Sequence, residues 1–512
     1  MANKTTKTIA VASSVRQRPP IVVVMGHVDH GKTTLLDYIR KANIAGREAG
    51  GITQAVGAYE IEHASAAAGV GAEKRKITFI DTPGHEAFSA MRSRGAEVAD
   101  LAILVIAADE GAKPQTKEAI KIIQDAKTPF IVAINKIDKT GGNLDKARND
   151  LMTAGVLLEG YGGQVSYHGI SAKTGEGVDE LLDLVLLSAD LEGLTYDASA
   201  PASGYVLEAK RDPQRGIEAT VIIKNGTLRR GDTICTATVG GKAKILENFL
   251  GKTVGELEPS APALIIGLDE IPKVGEAFMA GNLCDAAAAT AAATQNAGGA
   301  QAQSHGGAGQ LAKSKPNTLN LMLKASDAGS LEALSAVLCG IDQKGGKEIN
   351  IIEEGVGDIT DGDIRYAMAT KATVIGFKNR IVGGAATLAD AQSIIVITSD
   401  VVYDLATAVE DFFTGKRGPA ALGELEVLAL FNQEKLPKQL VGGRVTNGVF
   451  HERESFDIVR GPLGTTPLGT GAIRGLREKK TVITQAEKGK EIGVYVDAAV
   501  KIEIGDRLVI RK

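Results

Sequence analysis

The chain has 512 residues, 44% of them hydrophobic and 23% charged, with a formal net charge of −4. That length exceeds one compact core and predicts about three to five domains at roughly 100–200 residues each. No run approaches the ~18 apolar residues of a membrane helix, so a soluble protein without a membrane partner is expected, and the mild acidity leaves RNA contact to local patches.

Residues 1–19 carry basic and hydroxylated side chains without a sustained apolar stretch, which argues against a secretory signal. A flexible lead-in is the favoured reading; a short organelle-targeting segment is the alternative. From 20 to 192, apolar runs at 21–25, 77–81, 101–108 and 130–135 alternate with helical patterns such as KTTLLDYIRKA and PQTKEAIKIIQDA. Strands buried on both faces and separated by helices predict a mostly parallel sheet. Residues 200–285 change to short, glycine-punctuated strands and predict a small β-barrel.

An Ala/Gly/Gln-rich stretch at 286–315 holds almost nothing to pack and reads as a connector, or as a helix followed by a flexible linker. An α/β/α domain is expected over 316–400, where Leu331, Leu334, Leu338 and Ile341 share one helical face. A connecting helix over 401–421 leads to a second β-barrel at 422–512. The phrase Gly-Asp between strands recurs at Gly231-Asp232 and Gly505-Asp506, consistent with barrels of related design. Cys235, Cys284 and Cys339 lie far apart without a C-x-x-C pair and read as small buried residues in a reducing compartment.

The sharpest signal is GHVDHGKT, followed by Thr34, between a predicted strand and a predicted helix. Gly26 and Gly31 permit a tight loop whose N–H groups, from His27, Val28, Asp29 and His30 onward, can face phosphate oxygens. Lys32 would reach the β- and γ-phosphates, and Thr33 would offer its hydroxyl to Mg²⁺. The helix start adds partial positive charge. DTPG places Asp81 where a carboxylate can hold Mg²⁺ and Gly84 where an N–H can meet the γ-phosphate. In NKID, Asn135 and Asp138 flank Lys136 and can bond the guanine edge, which favours GTP/GDP over adenine nucleotides. In the segment Ser171, Ala172, Lys173, the Ala172 N–H can point at the guanine oxygen.

In this order the set resembles the regulatory GTPases, and the histidine after DTPG resembles the translational branch. The resemblance implies that His85 positions the attacking water, that Lys32 stabilises transferred charge, and that Thr53 of a mobile loop contacts Mg²⁺ when the γ-phosphate is present. A surface role for His85 and a strand-forming role for Thr53 are the alternatives. The stretches REAGGITQAVGAYE, DTPGHEAFSAMRSRGAEVADLAILVIAADEG, LNLMLKASDAGSLEAL and INIIEEGVGDITDGDI resemble bacterial translation initiation factor two. Membership would imply four domains: a P-loop GTPase domain, a β-barrel, an α/β domain and a C-terminal β-barrel. It would imply the ribosome and initiator formyl-methionyl-tRNA as partners, with other initiation factors possible, and a cytoplasmic monomer.

This sequence departs from the family in three ways: only a short stretch precedes the GTPase domain, the loop ASDAGS is altered from the family's usual pattern, and Gly443 and Ile492 stand where the C-terminal barrel often has cysteines. Gly493 fits the pattern. Arg474, Arg477, Lys479 and Lys480 form a basic hairpin that could meet tRNA phosphates, or be simply a solvated loop. Residues 422–512 hold 15 Lys/Arg against 12 Asp/Glu, mildly basic within an acidic chain. A different ribosome-associated GTPase, and a GTP-sensing scaffold with little hydrolysis, are the competing readings.

Overall fold

The computed structural model describes residues 15–40, 57–64, 74–281, 284, 318–345, 348–392, 394–413, 421–435, 438–452, 454–459, 467–478, 481–498 and 500–511. Thr53, Lys479, Lys480, residues 1–14 of the expected lead-in and the connector at 286–315 lie outside them.

Residues 15–18 are not a flexible lead-in. β1 (Val15–Gln17) pairs antiparallel with β8 (Thr195–Asp197), just past the expected end of the GTPase domain. Within that domain β2 (Ile21–Gly26), β4 (Arg75–Asp81), β5 (Leu101–Ala107), β6 (Phe130–Asn135) and β7 (Tyr167–Gly169) run parallel. β3 (Gly57–His63) lies antiparallel at the edge, giving the order β3-β4-β2-β5-β6-β7. All residues of β2 and β5 are buried. Alternation along the strands sends Val23, Met25, Leu104 and Ile106 to one apolar layer and Val22, Val24, Ile103 and Val105 to the other. α3 (Pro114–Ala126) and α4 (Leu144–Thr153) cover the first layer, and α1 (Lys32–Arg40) and α5 (Val178–Glu192) the second. α2 (Ser89–Val98) follows the DTPG segment.

The next domain is a closed barrel in the order β10-β15-β13-β12-β16-β9. Its strands are β9 (Ser203–Asp212), β10 (Gly216–Asn225), β12 (Thr233–Cys235), β13 (Gly240–Asn248), β15 (Pro262–Leu268) and β16 (Ala277–Ala280), with β11 (Leu228–Arg229) and β14 (Glu256–Leu257) as a side ladder. The cysteine expectation fails here. The pairing of β12 with β16 brings Cys235 and Cys284 to a Cα separation of 5.5 Å across 49 residues of sequence, and they form a disulfide. Cys339, expected to be buried, is exposed.

Asp100 ties this barrel to the GTPase domain. It accepts from both terminal nitrogens of Arg18 at 2.5 and 2.7 Å, from the Ile21 amide at 2.9 Å, and from Lys224 of β10 at 2.6 Å. Burial alone would raise its carboxyl, but the Arg18 hydrogen bonds and the charge of Lys224 hold it below the ordinary carboxylate range.

In the α/β domain the sheet order is β18-β17-β19-β20, with β17 (Thr318–Ala325), β19 (Thr373–Phe377) and β20 (Val396–Ser399) parallel and β18 (Glu348–Val356) beyond β17. Its helices are α6 (Ala328–Gly345), α7 (Asp361–Thr370) and α8 (Ala385–Ala391). On α6, Leu334 and Leu338 are fully buried and Leu331 and Ile341 half-buried, as one apolar face requires. The start of α6 packs against α2: a Cβ on Gly329 would lie 2.6 Å from Met91 Cε, and Glu332 pairs with Arg94. Arg94 also lies under Gly275 of the first barrel, where a Cβ would come within 2.7 Å of its Cδ.

These domains make one compact unit, and Val402–Lys512 dominate a second. α9 (Val402–Phe413) buries Leu405, Ala408 and Val409. Six antiparallel strands then close a ring: β21 (Ala421–Lys435), β28 (Arg507–Arg511), β23 (Ser455–Val459), β24 (Pro467–Glu478), β27 (Glu491–Ala498) and β22 (Lys438–His451), which returns to β21. β25 (Thr481–Ile483) and β26 (Gln485–Glu487) add to β24 and β22. The repeated Gly-Asp phrase makes the same turn in both barrels. Gly231 and Gly505 have φ of 94° and 90°. The Asp232 carboxylate accepts from the Arg229 amide at 2.8 Å, as Asp506 does from Glu503 at 2.7 Å.

Candidate nucleotide site

β2 ends at Gly26, whose φ of 145° and lack of a side chain are both required, since a Cβ would lie 2.3 Å from the Val105 carbonyl oxygen. Gly31 has φ 88°, and a Cβ there would meet Asn135 Nδ2 at 2.3 Å. The loop then enters α1 at Lys32, with Thr33 and Thr34 in its first turn, so unpaired helix N–H groups open on the same side.

A cavity of about 380 Å³ lies over this turn. Its lining includes Val28, Asp29, Gly31, Lys32, Thr33, Thr34, Gly84, His85, Asn135, Lys136, Asp138, Ala172 and Lys173, brought together from four loops at strand ends. Gly26, His27, His30, Asp81 and Ser171 are not among the lining residues. His30 is fully buried, and its pKa falls to about 4, through burial first and then the neighbouring His27, so it is a neutral packing residue. Lys139, which the sequence reading passed over, also lines the cavity and pairs with Asp109 at 2.8 Å. Its only signal was adjacency to NKID.

Lys32 Nζ donates to the carbonyls of Gly26 at 2.8 Å and His27 at 2.6 Å. Burial lowers its pKa to about 8 against the opposing pull of Asp81. Gly84 packs on the same ammonium, where a Cβ would come within 2.4 Å of Nζ. The His85 imidazole is held below the usual histidine range by burial, then by the charges of Lys32 and Arg92. The donor set fits a hard cation: Thr33, a hydroxyl residue, lines the cavity, and the buried Asp81 carboxylate stands close enough to raise the Lys32 pKa, both supplying oxygen donors of the type Mg²⁺ takes alongside phosphate.

At the other end, Asp138 accepts from the buried Ser171 hydroxyl at 2.7 Å. Asn135 is only 2% exposed. Its amide donates to the His30 carbonyl at 2.9 Å, and its oxygen accepts from the Lys136 and Ala172 amides at 2.8 and 2.9 Å. The Ala172 N–H, expected to face a guanine oxygen, is therefore directed to Asn135 here. Asn135 is as much a strut between loops as a base contact; one N–H remains for a purine ring nitrogen.

In the C-terminal barrel, Arg477 and Gly493 are register partners, and the Arg477 guanidinium stands 5.3 Å from the Tyr495 ring centre. Arg474 is exposed and pairs with Asp497 at 3.0 Å. Gly443 and Ile492 are buried register partners; a Cβ on Gly443 would lie 2.4 Å from the Glu426 carbonyl oxygen, so the backbone demands glycine there.

Comparison with known proteins matches residues 17–190 to the Elongation factor Tu GTP binding domain, 201–281 to Elongation factor G domain 2 and 294–410 to Translation-initiation factor 2. The Translation initiation factor IF-2 of Rubrobacter xylanophilus is 38% identical over 502 residues, which are 96% of this chain and 71% of that protein. Among solved structures, GDP-bound aIF5B from Aeropyrum pernix shares 25% identity over 97% of this chain and 92% of that one, with a TM-score of 0.45. A bacterial selenocysteine-specific elongation factor EF-Sec shares 22% over 51% and 45%, with a TM-score of 0.41. With a nucleotide cavity of this chemistry and a relative of that identity along almost its whole length, the chain belongs to the translation initiation factor IF-2 family and is a GTPase of translation initiation.

Proposed function

We propose that the GTP-bound protein holds initiator formyl-methionyl-tRNA on the small ribosomal subunit, promotes joining of the large subunit, and hydrolyses GTP when joining occurs, acting in the cytoplasm as a monomer. One observation carries this: a single cavity gathers a phosphate loop, a histidine loop and a base loop in a chain that matches the IF-2 family over 96% of its length.

In this reading Lys32 and the loop amides from His27 to Gly31 take the β- and γ-phosphates, and Asp138 accepts from the guanine edge. Lys32 leaves its loop carbonyls for phosphate, a better partner for a buried ammonium. Thr33 and Asp81 hold Mg²⁺, which when bound supplies positive charge to the phosphates. The His85 imidazole accepts a hydrogen bond from the attacking water and orients it; its depressed pKa keeps it neutral for that task. GTP favours the tRNA- and ribosome-binding conformation by its differential affinity for it. Arg474, Arg477 and the face around Gly493 meet the acceptor end of the tRNA.

Retention of tRNA on small subunits with the protein and GTP tests the proposal, comparing formylated initiator, unformylated initiator and elongator methionyl-tRNA. Preference for the formylated species is expected. Equal retention of both initiators removes formyl recognition, and retention of the elongator alone removes the initiation role.

A further inference from the structure

The largest fully buried side chain among the described residues is Arg92. It lies on α2 in a stretch that reads as an ordinary polar helix. A guanidinium taken out of water needs several partners to offset its desolvation, and these identify its task. Nη1 donates to the Pro83 carbonyl at 3.2 Å and to the His85 carbonyl, the backbone on either side of Gly84. Nη2 donates to Glu118 Oε1 at 2.5 Å, and the Ser89 hydroxyl donates to the same oxygen at 2.7 Å.

Glu118 belongs to α3. Three residues earlier on that helix, on the neighbouring surface position, Gln115 Oε1 accepts from the Val28 amide at 3.1 Å, inside the phosphate loop. The helix start is fixed by Pro114 and by the Lys113 amide donating to the buried Thr116 hydroxyl at 3.3 Å. One rigid turn of α3 thus grips the phosphate loop through Gln115 and the histidine loop through Glu118 and Arg92.

We propose that Arg92 is the positioning residue for His85, and that α3 is the common mount fixing the distance between the phosphate loop and the histidine loop. This rests on the reading of His85 as the water-orienting group. Arg92 touches no reacting atom; it sets where the His85 backbone lies. A planar, multi-donor fork can serve two carbonyls and a carboxylate at once, which a lysine ammonium on a flexible stem cannot do in the same geometry.

The test uses the full chain with ribosomes, measuring single-turnover GTP hydrolysis against ribosome concentration, together with GDP affinity from a fluorescent analogue. Arg92→Lys should lower the maximal hydrolysis rate on the order of 10²-fold, as expected for a misplaced catalytic group. The ribosome concentration at half-maximal rate and the GDP affinity should stay within about twofold of wild type, a difference of under ~0.5 kcal/mol. Glu118→Gln, which keeps volume and lets the fold persist, should lower the maximal rate about tenfold, the effect of ~1.4 kcal/mol. Introduced into His85→Ala, whose slow residual hydrolysis is followed over hours, neither change should reduce the rate further.

Equal fractional losses with and without His85, or losses matched by weaker GDP binding, overturn the proposal and make Arg92 a general stabiliser. Unchanged turnover in either single variant overturns it too. Intact turnover in His85→Ala alone instead removes the underlying reading of His85, a separate outcome.

Discussion

Asn135 Oδ1 lies 2.9 Å from the Ala172 amide and accepts its hydrogen, locking the loop after β6 to the loop after β7. The same side chain reaches the His30 carbonyl at 2.9 Å on the phosphate side. Both ends of the cavity therefore hang on one buried amide, and a defect there should be felt well beyond the base contact proposed for it.

Asn135→Ala is accordingly expected to weaken GTP and GDP alike. It leaves the Ala172 and Lys136 amides and the His30 carbonyl without this partner. At about 1–3 kcal/mol per buried group left unmade, even one such loss weakens affinity by roughly fivefold to over a hundredfold. Calorimetric titration checks this, and unchanged GTP and GDP affinities would contradict the strut role.

With Lys32 on phosphate as proposed, nucleotide affinity should depend on pH. Among the loop carbonyls the Lys32 pKa is about 8, below its value in an unfolded chain. Bound phosphate favours the charged form and raises that pKa again. Binding then takes up a proton as pH climbs above 8, so GDP affinity should fall on that side, by up to about tenfold per unit. The same depression means that stability attributable to this group rises with pH from about 8 toward the unfolded value. Lys32→Arg stays charged throughout and should lose both dependences, seen in GDP titrations across this range.

Replacing His85 by Ala should reduce ribosome-stimulated hydrolysis by about 10²–10⁴-fold while sparing GDP binding. The acid limb of the wild-type rate profile should fall below the usual histidine value of about 6.5, because burial and the charges of Lys32 and Arg92 lower the His85 pKa. A limb at or above that value would show that another group governs the rate.

The Asp100 cluster should govern acid stability of the GTPase–barrel junction. Asp100→Asn leaves Arg18 and Lys224 facing a neutral group in a largely buried setting, which is expected to cost about 3–5 kcal/mol. The folded carboxyl is depressed, so its contribution is complete above the unfolded pKa and disappears as pH falls through the folded one. Wild type should lose stability in that acid window and the variant should not, as followed by urea unfolding at successive pH values.

Alkylation of the native protein without reductant should modify Cys339 and spare Cys235 and Cys284, which react only after reduction and unfolding. Peptide mapping by mass spectrometry reads this directly.

Much of the site was legible because backbone constraints write themselves into residue type. Gly26 and Gly31 cannot carry a Cβ, and the strands that precede GHVDHGKT, DTPG and NKID end in buried, mostly apolar runs. The α/β domain was legible for the same reason, in the apolar face of α6. Partners that meet only in three dimensions left no such mark. Arg92 sits in a polar helical segment, and nothing in its neighbours says that Glu118, 26 residues on, will bury it. Cys235 and Cys284 are joined by strand pairing, not by a local motif. β1 was hidden because three residues give no periodicity, and β8, its partner, stands 178 residues away from it in the register of Gln17 with Thr195.

α2 meshes with two other domains as a gear wheel does with its neighbours: Met91 lies in the notch left by Gly329, and Arg94 fits between Glu332 and Gly275. Successive residues of such a helix stand about 100° apart around the axis, so turning it by a fraction of that angle unseats both teeth together. A twist begun at the histidine loop would therefore strain its seats against the first barrel and the α/β domain together. Backlash is small, because glycine leaves no side chain between the parts.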